Sequence, residues 1–145
     1  MTTRSGAPAK SGERSGAPAQ PGTRRTKQRA AISALLANVD DFRTAQQIHD
    51  LLREGGESVG LATVYRTLQA MAAAEEVDVI RHDGEQLFRR CHSTEHHHHL
   101  VCRSCGHTIE ITGPGVTEWA ARLGRQHGFR DIDHELELFG LCDKC

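Results

Sequence analysis

Five cysteines stand in this chain, and four of them form two matched pairs, Cys102 with Cys105 and Cys142 with Cys145. Two thiols three positions apart on a tight turn can grip one side of a tetrahedral ion, and two such turns complete a four-sulfur shell that suits Zn2+. Disulfides are a second reading, disfavoured in a reducing compartment, and inert thiols are a third, with no reason to come in pairs. The next constellation is the run His96, His97, His98 and His99. It is internal and precedes an apolar segment, so it reads as a ligand set rather than a purification tag. If the run is extended, His96 and His98 share one face while His97 and His99 share the other. One ion cannot easily take all four, and two further sites are expected. For the His97/His99 face, Cys91 and Asp78 stand at the end and start of a predicted hairpin and can converge. For the His96/His98 face the candidate is His134, either a hydrogen-bonded core imidazole or a third ligand, and two unattached imidazoles opposite it favour the ligand.

Elements must hold these groups in place. The chain has 145 residues, 37% of them hydrophobic, with one Trp, one Tyr and four Phe, so its core is aliphatic and two half-size units would each need a staple. Residues 1–22 are rich in Gly, Ser, Ala and Pro, and Arg4-Ser-Gly-Ala-Pro-Ala9 recurs as Arg14-Ser-Gly-Ala-Pro-Ala19. A disordered basic tail is expected there, with order beginning near Thr26. Ile32, Leu35, Leu36 and Val39 recur at helical spacing. Thr44 and Gln47 make a capping box in front of Ile48, Leu51 and Leu52, and Gly55-Gly56 ends that helix. A third helix over 62–74 carries Val64, Leu68 and Met71 on one stripe. Alternating segments at 77–82 and 85–91 flank Asp83-Gly84, a hairpin signal. Three helices and a hairpin in that order make a winged helix.

Beyond residue 91 the texture changes. Leu100-Val101 and 109–111 read as strands, and Pro114 opens a helix with Trp119, Ala120 and Leu123 on one face that Gly128 stops. A last strand is predicted over 130–139, where Ile132, His134, Leu136 and Leu138 alternate with acids. Residues 1–30 hold seven cations against Glu13, so they sum to +6 and leave −7 for the rest of a chain whose net charge is −1. A basic arm on an acidic body fits contact with a polyanion, a solvated charged tail being the plainer alternative. No apolar run is long enough to span a bilayer and no secretory signal is seen, so no membrane partner and a cytoplasmic location are expected.

Taken together, Gly60-Leu-Ala-Thr-Val-Tyr-Arg-Thr-Leu68, the His96–His99 run leading into His99-Leu-Val-Cys102-Arg-Ser-Cys105-Gly106, and Phe139-Gly-Leu-Cys142-Asp-Lys-Cys145 resemble the ferric uptake regulator family. Within it the resemblance is to the zinc uptake regulator branch, and it covers about residues 26–145. The resemblance implies an α+β fold, an N-terminal winged helix-turn-helix domain followed by a small α/β dimerisation domain with a four-cysteine zinc site. The expected divisions are a tail at 1–23, a DNA-binding domain at 24–91, a hinge at 92–95 and a dimerisation domain at 96–145. It further implies a homodimer that binds operator DNA as a metal-loaded repressor.

Carried over residue by residue, structural zinc falls on Cys102, Cys105, Cys142 and Cys145, and the sensed ion on Asp78, Cys91, His97 and His99. A third site falls on His96, His98 and His134, but the family's usual glutamate is Thr117 here. Glu118 is next along and about a hundred degrees round the helix. Either it reaches in by a register shift, or water completes the shell, or the site is weak. One thiolate, two imidazoles and one carboxylate suit Zn2+ better than Fe2+ or Mn2+, which call for more carboxylate, while affinity order alone does not reject nickel or cobalt. On DNA, Tyr65 and Arg66 are expected in the major groove, Thr63 and Thr67 on phosphates, and Arg24, Arg25, Lys27 and Arg29 along the backbone or minor groove. The competing readings are a family sensor of iron or nickel, a zinc-storage protein, and a zinc hydrolase, which lacks an HExxH or similar pairing.

Overall fold

The computed structural model describes residues 21–93 and 95–145. The duplicated tail and Thr94 of the expected hinge lie outside the described residues. Helix α1 (Pro21–Leu36) starts earlier than Thr26 and so takes in the end of the expected tail. Only Ile32 and Leu36 of α1 are buried, so its first turns carry no apolar periodicity to read. A two-residue strand, β1 (Arg43–Thr44), follows and was not expected. Thr44 then caps α2 (Ala45–Glu54), its hydroxyl accepting from the Gln47 N–H at 3.1 Å while Gln47 Oε1 accepts from the Thr44 N–H at 3.0 Å. Helix α3 (Leu61–Ala73) buries Val64, Leu68 and Met71, the stripe read from the sequence.

Strands β2 (Asp78–His82) and β3 (Glu85–Arg89) form the hairpin, and β1 pairs with β3 to give the order β1-β3-β2. Asp83 and Gly84 turn it with φ of 50° and 81°, the left-handed pair that a two-residue hairpin needs. Ile32, Leu36, Ile48, Leu52, Val64, Leu68, Met71 and Phe88 make one continuous core between the helices and this sheet.

The second sheet contains β4 (His98–Cys102), β5 (Thr108–Ile111) and β6 (Glu137–Gly140) in the order β5-β4-β6, with β6 parallel to β4. The last strand is therefore much shorter than 130–139. Asp131 adopts a left-handed φ of 53° and Asp133 accepts from the His134 N–H with its own side chain, so residues before 137 make local bonds in place of a ladder. Helix α4 (Gly115–His127) ends at Gly128 with φ of 74°. Its buried positions are Ala120 and Gly124, whereas Trp119 is 56% exposed and Leu123 41%, so the expected apolar stripe is not covered by this single chain. No helix among the described residues is long and apolar enough to cross a membrane.

The two sheets meet at a second cluster. Phe42, Ile80 and Leu87 come from the winged-helix side, Val101 and Phe139 from the other. Asp41 Oδ1 accepts from the Thr108 N–H at 3.2 Å across the same joint. Because α2 must start where β1 ends, the Thr44 box sets the register of this corner. Thr44→Ala is expected to lower stability by about 1 kcal/mol, read as a lower urea midpoint at unchanged slope.

Candidate functional site

Strand pleating divides the histidines as the alternation requires. His97 and His99 meet Asp78, the first residue of β2, and Cys91, two residues past β3. His97 Nε2 lies 2.8 Å and His99 Nε2 3.3 Å from Asp78 Oδ2, and Cys91 Sγ is 3.3 Å from His99 Nε2. His96 Nε2 lies 2.9 Å from His134 Nε2, which is 3.3 Å from His98 Nε2. Cys102 Sγ is 3.8 Å from Cys145 Sγ, and Cys142 Sγ is 3.6 Å from Cys105 Sγ and 3.5 Å from Cys145 Sγ.

These separations test the donor sets. A tetrahedral ion with bonds of 2.0–2.1 Å to nitrogen or 2.3 Å to sulfur holds its ligand atoms about 3.3 Å or about 3.8 Å apart, respectively. The pairs given above lie at 2.8–3.8 Å, and within each group all donor atoms fall within 4.8 Å of one another. The sulfurs are far beyond the roughly 2.05 Å of a disulfide, and all five cysteines are free. The chemistry of the donors fits Zn2+ in each case, with four sulfurs, a mixed set of oxygen, sulfur and two nitrogens, and three nitrogens.

Glu118 is not brought into the three-histidine group, and neither is any other carboxylate among the described residues. It sits in the exposed first turn of α4. Thr117 instead lines a cavity of about 330 Å³ beside His96 and His134, with Asp131 and Asp133 on its rim. His134 stands ahead of β6 rather than within a strand.

The electrostatics of the Asp78 group are strongly biased. Hydrogen bonding from His99, opposed by burial and reinforced by Cys91 and His97, holds the Asp78 carboxyl far below its usual range. Burial, and then the neighbouring Asp78 carboxylate, pushes the Cys91 thiol well above the ordinary value, with Arg89 pulling the other way. Burial works against charge on His97, but the Glu95 carbonyl and Asp78 outweigh it and raise its pKa. On the opposite face, burial and the charges of His96 and His134 lower His98. In the four-cysteine group the backbone N–H groups of Cys105 and Cys142 point at Cys102 Sγ and lower its pKa to about 6, and the Cys142 N–H reaches it at 3.4 Å.

The nucleic-acid candidates gather elsewhere. Arg25, Arg29, Thr63, Arg66 and Thr67 line one groove between α1 and α3. Arg24 and Lys27 are exposed on α1 but do not line it. Arg29 is paired with Glu76 at 2.6 Å. Tyr65 is 47% exposed, and its hydroxyl donates to Gln86 Oε1 on β3 at 3.1 Å, to which Gln69 Nε2 also donates at 2.6 Å. The sequence reading missed Gln86, together with Asp41, Arg89 and Glu110 at the joint. No sequence pattern marks them, because the burial of Phe88 and Arg89 at the end of β3 appears only in the fold.

A family model described as the ferric uptake regulator family matches residues 20–139. The chain belongs to that family. It is 57% identical over 123 residues to the zinc uptake regulation protein of Mycobacterium tuberculosis, covering 84% of this chain and 94% of that one. The crystal structure of FurB from M. tuberculosis, a zinc uptake regulator, is 56% identical, covers 86% of this chain and 97% of that chain, and superposes with a TM-score of 0.53. The Vibrio cholerae ferric uptake regulator is 29% identical, covers 79% and 88% of the two chains, and has a TM-score of 0.65.

The raised Cys91 pKa sets a pH dependence. At neutral pH that thiol keeps its proton, and a divalent cation taken up by the group of Asp78, Cys91, His97 and His99 would have to displace it. Uptake is expected to release at least one proton per ion, so that affinity falls about tenfold for each unit by which the pH is lowered, per proton released. Calorimetry in two buffers of different ionisation enthalpy measures this, and Cys91→Ser should release about one proton fewer.

Proposed function

We propose that this chain is a zinc-responsive transcriptional repressor that binds operator DNA as a metal-loaded homodimer and controls zinc uptake and homeostasis genes. One observation carries the reading. Asp78 belongs to the winged-helix hairpin and Cys91 to its exit, while His97 and His99 belong to the strand segment of the other unit, and their donor atoms converge at the joint. The 57% identity to a zinc uptake regulation protein supports the choice of metal. Structural zinc is assigned to Cys102, Cys105, Cys142 and Cys145, and a third, three-imidazole site to His96, His98 and His134.

Zinc bound at the joint supplies directional bonds to both units, with a free energy that in peptide sites is roughly 10–16 kcal/mol. The chain's own residues turn this into a switch. Asp78 and Cys91 move with the hairpin that packs on α3, whereas His97 and His99 are fixed to β4. Holding all four together selects one angle between the units. Reversing a 1:99 bias takes about 5.5 kcal/mol, which such a site can supply. The crystal structure of the Vibrio cholerae ferric uptake regulator reveals rearrangement of its DNA-binding domains, which supports an adjustable joint in this family.

Dimerisation follows from an uneven distribution of apolar surface. Val101, Cys102 and Ala120 are the buried hydrophobic residues described beyond residue 95, while Leu100, Ile109, Trp119, Leu123, Phe129, Ile132, Leu138 and Leu141 are exposed there. Leu138, Leu100 and Ile109 stand side by side across the three strands, and β5 is an open edge. A second copy of this chain both covers the row and pairs the edge.

On DNA, α3 presents Tyr65 and Arg66, with Thr63, Thr67, Arg25 and Arg29 placed for phosphates and Arg24 and Lys27 beside them. The test is fluorescence anisotropy on operator duplex at buffered free zinc, iron, nickel and manganese. Zinc is expected to tighten binding at the lowest free concentration, and Cys91→Ser to abolish the response with the fold retained. A storage protein would show no zinc-dependent DNA binding. Arg66→Ala should weaken specific binding by about 1–3 kcal/mol.

A further inference from the structure

Arg89 holds no ligand position, yet it touches both sides of the joint. In the β2–β3 ladder it lies directly opposite Asp78, and it precedes Cys91 by two residues. Its side chain is only 6% exposed. Nε donates to the Asp40 carbonyl, and Nη1 donates to Glu110 Oε1 at 2.7 Å and to Cys91 Sγ at 3.4 Å. Glu110 comes from β5, opposite His99 in the β4–β5 ladder, and its Oε1 also accepts from the His92 N–H at 3.2 Å. One guanidinium therefore ties the loop before β1, the exit of β3 and the second sheet to a single point. A buried ion pair is a poor source of stability compared with an apolar pair of similar volume. What the rigid guanidinium fork supplies is direction.

We propose that Arg89 is a positioning residue for metal sensing, holding Glu110, the Asp40 carbonyl and Cys91 Sγ at once so that Cys91 faces Asp78, His97 and His99. This rests on the reading of those four residues as the sensed-ion site. A lysine at position 89 keeps the charge but has one nitrogen where the fork has three. In the arginine Nη1 serves both Cys91 and Glu110 while Nε holds the Asp40 carbonyl, so a single ammonium nitrogen cannot keep both anchor points and the contact to Cys91 loses its direction.

The test uses the full chain with zinc in its four-cysteine group and Co2+ titrated against a chelator. The thiolate-to-cobalt charge-transfer band reports Cys91, and the chelator reports affinity. Arg89→Lys is expected to weaken Co2+ binding tenfold or more and to reduce the band per bound ion. Glu110→Gln should weaken binding several-fold, and the double variant should be no worse than Arg89→Lys alone, because the two act through one contact. Zinc retention by the four cysteines should be unchanged. Wild-type affinity and band in Arg89→Lys overturn the proposal, as does a loss of cysteine-bound zinc that matches the loss of cobalt. If Arg89→Lys does not fold, Glu110→Gln decides by the same two readouts. A wild-type cobalt spectrum indifferent to Cys91→Ser sinks the underlying site reading as well, a result separable from a failure of Arg89 alone.

Discussion

A β-strand sends successive side chains to opposite faces, and in β4 and the residues leading into it this pleat decides which histidine meets which partner. His97 and His99 turn toward the joint, where Asp78 and Cys91 wait, while His98 turns toward His134 and Cys102 toward the other cysteines. All three ligand groups thus hang from one short segment. A slip of one residue would reverse every assignment together, placing His98 against Asp78 and burying Leu100 where Val101 now packs with Phe42 and Ile80. The register is fixed on both sides, by β5 through His99 opposite Glu110 and by β6 through His99 opposite Glu137.

The two units differ in what they need from outside. The winged helix closes on its own core, with Phe88, Ile32, Val64 and Leu68 fully buried. The second unit has almost no interior. Its short strands and one helix bury Val101, Cys102 and Ala120 and leave Trp119, Leu123 and Phe129 exposed, so little apolar interior of its own holds it together.

Much of this was legible in the residues. The capping box at Thr44, the Val64-Leu68-Met71 stripe and the Asp83-Gly84 turn are local signals, and local physics decides them. The pairing of His96 with His98 and of His97 with His99 also followed from period two alone. What failed was non-local. The alternation at 130–139 looked like a full strand, but β6 has β4 on one side only, and Asp131 and Asp133 break the ladder before 137. Helix α1 hid its first turns because nothing apolar there is buried. Arg89 and Glu110 were invisible as a pair because they lie on different sheets, and only the docking of the two units brings them to 2.7 Å.

That docking also bears on which metal the joint suits. The joint face of the second sheet carries more carboxylate than the ligand group uses. Glu110 and Glu137 both flank His99, and an oxygen-rich shell would favour harder ions. Glu110 is already bound by Arg89 and the His92 amide, and Glu137 is not among the grouped donors. Asp78 is then the one carboxylate grouped with the thiol and the two imidazoles. The soft character of the set follows as much from the acids held elsewhere as from the cysteine it contains.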